Sequence, residues 1–179
     1  MSDLPTGPYD LILADPPWKF SSNSRAKPGR NAMRHYDCMA LADICALPVE
    51  DIAETSAVLY LWATVPMLDQ AFDVMRAWGF RYVSNLTWRK SRIGTGFWVR
   101  NRHEHVLIGR RGKPRCPRPA HRDSIIESDQ REHSRKPDEL FHQIEEAYPT
   151  ERKVELFARE RRDGWDCWGD QVGKFEGAL

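Results

Sequence analysis

Residues 9–18 read Tyr9-Asp10-Leu11-Ile12-Leu13-Ala14-Asp15-Pro16-Pro17-Trp18, a short apolar run followed by an acid, two prolines and a tryptophan. An apolar run of this length suits a strand buried on both faces. Neither proline can donate to a sheet ladder, so the strand is expected to stop at Asp15 and turn into a loop. Outward from there, Ala57–Ala63 (AVLYLWA) repeats the buried-strand signature. Val65-Pro66 then opens a stretch in which Leu68, Ala71, Phe72, Met75 and Trp78 recur at helical spacing until Gly79. Residues 80–88 and 104–109 predict a third and a fourth strand, with the Gly94-Thr95-Gly96 turn region between them. After Lys136-Pro137-Asp138-Glu139-Leu140, the residues Phe141, Ile144 and Ala147 predict a helix ending before Pro149, and 153–158 (KVELFA) predicts the last strand. Apolar strands alternating with helices imply an α/β fold, a mostly parallel twisted sheet with helices on both faces. Such folds bind ligands beyond the carboxyl ends of their strands, so Asp15 after the first strand and Arg159 after the last are expected to share one crevice.

The chain of 179 residues is the size of one domain, 1–179, and needs no disulfide or metal to build a core. Its four cysteines, Cys38, Cys45, Cys116 and Cys167, form no C-x-x-C pair, which suggests neither a zinc cluster nor a disulfide framework and fits a reducing cytoplasm. No signal pattern or membrane-length apolar run is present, so no membrane partner is expected. The formal net charge is only +1, but its distribution is uneven. Ten basic residues (Arg89, Lys90, Arg92, Arg100, Arg102, Arg110, Arg111, Lys113, Arg115 and Arg118) face a single acid, Glu104, in one tract. With Trp88, Phe97 and Trp98 in or beside it, the tract suits phosphates and stacked bases; a solvated basic loop is the plainer alternative.

The Asp15-Pro16-Pro17-Trp18 loop has chemistry of its own. The 6-amino group of adenine is a poor nucleophile because its lone pair is delocalised into the ring. Two acceptors gripping its protons localise that lone pair, and the Asp15 carboxylate with the Pro16 carbonyl can supply both. The prolines fix the direction of the carbonyl, and Trp18 is expected to offer a face for stacking. An isolated tetrapeptide of this kind is more often a plain turn after a strand, with the tryptophan packed in the core. Here the rest of the chain supports the same site.

From YDLILADPPW through HYDCM, LYLWAT, LTWRK, HEHVLIG, HSRKPDEL and KVELFAR to GWDCWGDQ, the sequence resembles the family of the mRNA adenosine methyltransferase catalytic subunit and its bacterial and phage relatives acting on DNA adenine. The resemblance covers almost the whole chain. It implies a Rossmann-like methyltransferase with a permuted motif order, in which the catalytic strand comes early and much of the cofactor-binding half comes late. It implies S-adenosyl-L-methionine as cofactor, with Asp15, Lys136, Glu155, Phe157, Arg159, Asp170 and Gln171 in its pocket and Lys136 facing its carboxylate. It places Tyr36, Trp62, Trp88, Lys90 and Glu104 near the target base. Arg161, Arg162 and Asp170 depart from the family pattern. For Trp62 and Phe157, core packing is the competing reading.

The expected activity is methyl transfer to adenine N6 in DNA, with Arg100 and Arg102 among the substrate contacts. Alternatives are the same reaction on RNA, methylation of the cytosine 4-amino group, and a catalytically silent nucleic-acid-binding subunit. A chain of this length leaves no room for a large recognition domain, so relaxed specificity, a recognition partner or a homo-oligomer is expected. His103 and His105 flank Glu104 on one side of a strand, but no third metal ligand is evident.

Overall fold

The computed structural model describes residues 3–19, 38–94, 96, 98–116, 123–131 and 135–175. Among these are seven strands: β1 (Tyr9–Ala14), β2 (Ala53–Thr64), β3 (Arg81–Lys90), β4 (His103–Arg111), β5 (Ile125–Ser128), β6 (Lys153–Leu156) and β7 (Trp165–Trp168). The α-helices are α1 (Leu41–Cys45), α2 (Val49–Ile52), α3 (Leu68–Ala77) and α4 (Asp138–Ala147). The strands form one sheet in the order β5-β3-β4-β2-β1-β6-β7. β4 runs antiparallel to β2 and β3, and every other neighbouring pair is parallel.

From Leu11 onward β1 is apolar because both of its faces are covered. Ile12 and Ala14 join Leu59 and Leu61 under Ala71, Val74 and Met75 of α3. Leu11 and Leu13 point the other way and join Tyr60 and Trp62 under Leu140, Phe141 and Ile144 of α4. The period of two thus serves two cores with one strand, and it places a helix on each side of the sheet. No helix among the described residues is long and apolar enough to cross a membrane.

The expected strands and helices are present, β2 longer than its apolar core suggested. The sheet extends beyond the strand expected to be last, because Trp165–Trp168 adds β7 alongside β6. Ile125–Ser128 adds β5 at the other edge. α3 begins with a 3-10 turn at Val65–Met67 and ends at Gly79, whose φ of 79° is costly for any residue with a side chain.

Two features place the ligand crevice. β1 lies between β2 and β6, so the chain switches direction across the sheet at β1 and leaves an opening at the carboxyl ends of β1 and β6. Immediately after β6, Phe157 adopts a φ of 64°, a left-handed conformation strained for a bulky residue. The turn it makes is packed tightly: Ala158 N–H donates to the Trp168 carbonyl at 2.9 Å, and a Cβ on Gly169 would come within 2.9 Å of Ala158 backbone atoms.

Candidate active site

Asp15 continues the β1–β6 ladder by one residue, its N–H donating to the Leu156 carbonyl at 3.3 Å. Lys136 arrives just ahead of α4, where Pro137 is the N-cap. Its Nζ donates to both carboxylate oxygens of Asp15, at 2.8 and 2.7 Å. Arg159 Nη2 stands 3.6 Å from Asp15 Oδ2. On its other side, Lys136 Nζ lies 3.5 Å from Glu104 Oε2, and Lys90 hydrogen-bonds Glu104 Oε1. The floor is aromatic: Trp62 and Trp88 meet edge to face at 6.0 Å, with the Lys136 ammonium 5.1 Å from the Trp62 ring centre and Lys90 4.7 Å from that of Trp88. The result is an alternating chain of charges, Asp15, Lys136, Glu104 and Lys90, whose side chains are only 12–16% exposed.

Burial alone would favour the neutral forms of Lys136 and Glu104, and the arrangement around them prevents it. It pushes the Lys136 ammonium down, but the Asp15 and Glu104 carboxylates more than offset that and hold its pKa above the usual lysine range. It pushes the Glu104 carboxyl up, but Lys136 and Lys90 hold it below the usual range. Glu155 is different. Burial, reinforced by the neighbouring Asp15 charge, pushes its carboxyl up to about 8 against the weaker pull of Arg162 and Arg159. Asp15 is thus paired with Lys136, while the neighbouring Glu155 carboxyl is pushed toward its neutral form.

Asp15, Lys136, Glu155, Phe157 and Arg159 line one narrow cavity of ≈ 20 Å³, enough for about one water. Pro16 follows Asp15 directly, and its carbonyl accepts from Trp18 N–H at 2.8 Å, which leaves a second lone pair. Trp62, Trp88, Lys90 and Glu104 gather beside it as the floor and far end of the charge chain. Tyr36, Phe97 and Arg118 lie outside the described residues.

Two expectations, for Trp18 and for the basic tract, need correction. Trp18 offers no open face: it is 4% exposed, packs in the core on the α3 side, and donates its indole N–H to the Trp62 carbonyl at 3.1 Å. That bond and the Met39 N–H to Pro17 carbonyl bond (3.0 Å) make Trp18 the anchor of the loop. Farther along the chain, Asp170 is exposed and Gln171 accepts from Lys174 at 3.0 Å. The basic tract is two patches, not one. β4, nine residues long, carries one half to the crevice edge (Arg89, Lys90, Arg92, Arg100 and Arg102) and the other to the opposite edge (Arg110, Arg111, Lys113 and Arg115), separated by about 27 Å. At the far edge Arg111 donates to the Glu50 carbonyl at 2.7 Å and Arg115 to Glu151 Oε1 at 2.8 Å, so those cations hold the fold together.

The cavity also brings together residues not singled out by sequence: Arg135, Phe141, Glu160 and Phe175. Arg135 pairs with Glu160 at 3.0 Å, and Arg162 pairs with Asp138 at 2.7 Å over the face of Phe141. The signal for them was the alternation of charge in 135–139 and 159–163, legible only once α4 is known to pack beside the end of β6. His103 and His105 share a side of β4, as their spacing requires, with ring centres 5.0 Å apart.

A mostly parallel sheet that switches at β1, with an acid-proline-proline loop at the switch point and a paired carboxylate in it, defines a Rossmann-like fold of the methyltransferase class. Within that class the chain belongs to the MT-A70 family, which matches residues 9–171. It is 31% identical over 176 residues to an N(6)-adenosine-methyltransferase MT-A70-like protein of Arabidopsis thaliana, covering 93% of this chain and 24% of that protein. It is 28% identical to the N(6)-adenosine-methyltransferase catalytic subunit METTL3 of Homo sapiens, covering 93% and 28%. It is 29% identical over 186 residues to the Type II methyltransferase M.MunI of a Mycoplasma species, covering 94% and 80%. The chain thus spans about a quarter of the length of the plant and human proteins and four fifths of the bacterial one.

Proposed function

We propose that residues 1–179 form one adenine-N6 methyltransferase domain that uses S-adenosylmethionine and acts on DNA. The observation that carries this reading is the buried Asp15 carboxylate at the switch point, held between Lys136 and Arg159 and followed by two prolines. S-adenosylmethionine, when bound, supplies a methyl group activated on a sulfonium. The lining fits that molecule chemically: Lys136 and Arg159 suit its carboxylate, and Phe157 and Phe175 suit its ring and apolar parts.

Lys136 positions Asp15: its Nζ donates to both carboxylate oxygens, and each oxygen keeps a second lone pair. The same ammonium would meet the carboxylate of the cofactor. Asp15 and the second lone pair of the Pro16 carbonyl would accept the two N–H groups of the adenine amine and localise its lone pair for the transfer. Asp15 would take the proton that the nitrogen loses.

DNA is put ahead of RNA on the likeness to the Type II methyltransferase M.MunI, four fifths of which the chain matches. The four cysteines, all among the described residues, form no disulfide with one another, which suits a reducing cytoplasm. The test incubates the protein with S-adenosylmethionine and matched single-stranded DNA, duplex DNA and RNA, and identifies methylated nucleosides by mass spectrometry. N6-methyladenine in DNA is the expected result. The mark in RNA alone keeps the chemistry and overturns the substrate; 4-methylcytosine overturns the base. No mark, with no cofactor binding by calorimetry, leaves a nucleic-acid-binding subunit.

A further inference from the structure

With Trp18 buried, the stacking surface has to come from elsewhere, and the hairpin above the site carries one. β3 and β1 both run antiparallel to β4 in sense, so the 91–102 connection rises from the same sheet edge as Asp15. Its base is the Lys90–Glu104 ion pair at the end of the charge chain. It contains Arg92, Arg100 and Arg102 and no acid. Trp98 is 100% exposed, beside Val99 at 70%. The hairpin is braced: Gly94 N–H donates to the Asn101 carbonyl at 2.8 Å, Arg100 Nε to the Gly94 carbonyl at 3.1 Å, and Arg102 Nη2 to the Ser91 carbonyl at 2.9 Å. A Cβ on Gly96 would lie 1.9 Å from the Val99 carbonyl oxygen, so the approach there requires glycine.

A bare indole on a braced, acid-free hairpin matches a polyanion with aromatic faces better than an apolar protein groove. We propose that Trp98 stacks on a nucleobase flanking the target adenine, while the hairpin arginines sit along the adjoining phosphates. This rests on the nucleic-acid reading above. Trp98 lies six residues beyond Glu104, a reach of at most about 20 Å, so the stacked base falls within roughly six nucleotides of the target.

The test pairs Trp98→Ala and Trp98→Phe with oligonucleotides carrying one abasic site, stepped through the six positions on each side of the target, and reads the Kd by anisotropy over a range of salt. The expected result is a roughly ten- to hundredfold loss for Trp98→Ala, largely restored in Trp98→Phe, with the slope of Kd against salt unchanged. One abasic position weakens the wild type by a similar factor and leaves Trp98→Ala unaffected, so the two losses do not add. Losses that add at every position, or a change below twofold, overturn the proposal. Additive losses accompanied by a smaller sedimenting species assign Trp98 to a subunit contact instead. A wild type that binds the intact oligonucleotides and methylates them while Trp98→Ala is unimpaired overturns the stacking role alone; a wild type that binds no nucleic acid removes the functional reading with it.

Discussion

The two ends of the β1 strand hold similar charged residues and use them differently. At the amino end of β1, Tyr9 donates its hydroxyl to Asp166 at 2.7 Å, and Arg152 reaches the same carboxylate at 3.1 Å. Arg152 and Asp166 are about half exposed. At the carboxyl end of the same strand, Asp15 and Lys136 are nearly buried and linked to Glu104, whose Oε2 faces the Lys136 ammonium at 3.5 Å. In water a pair relaxes at little cost, so the first cluster ties β1 to β6 and β7 and does nothing further. Out of water each charge depends on its partner, and shifting one obliges the others to respond. The difference separates a fastening from a site.

The largest effect should come from Asp15→Asn, which keeps shape but removes the charge and an acceptor. Turnover should fall by at least about a thousandfold, with native circular dichroism retained; residual methylation near the wild-type rate would remove Asp15 from the mechanism. Lys136→Met should weaken S-adenosylmethionine binding by about ten- to a hundredfold in calorimetry. An unchanged Kd would mean that Lys136 serves Asp15 alone.

Glu155 gives the pH test. Its folded pKa of about 8 lies above the ordinary glutamate value, so its contribution to stability is full in acid and is lost as pH rises from that ordinary value through about 8. Glu155→Gln should flatten the melting temperature over that window. Binding of the cationic cofactor beside Glu155 should release a proton at pH 7, visible as a binding enthalpy that varies with the ionisation enthalpy of the buffer. Next, neutralising Arg92, Arg100 and Arg102 should weaken nucleic-acid binding and flatten its salt dependence, while neutralising Arg110 and Arg111 should leave the slope alone. Smallest of all, Asp166→Asn should cost no more than about 1 kcal/mol of stability and leave methyl transfer intact.

The strand-loop unit at 9–18, the helix before Gly79 and the meeting of Asp15 with Arg159 could be read along the chain because each rests on a local pattern: apolar period, a breaker, or position after a strand. β5 and β7 escaped because four residues are too few to display a period, and Trp165–Trp168 (WDCW) shows no alternation at all. The split of the basic tract was hidden for a geometric reason, since a nine-residue strand separates side chains that sequence counts as neighbours. Trp18 was misread because its aromatic ring suits stacking and packing equally, and only the Trp62 carbonyl decides between them.

Phe157 carries a consequence beyond the catalytic cycle. Its left-handed backbone holds about 1–3 kcal/mol of strain that a glycine would release, yet its ring, edge-on to Trp168 at 5.3 Å, forms part of the crevice wall. Selecting variants for heat resistance and selecting them for cofactor affinity would therefore ask for different residues at this one position.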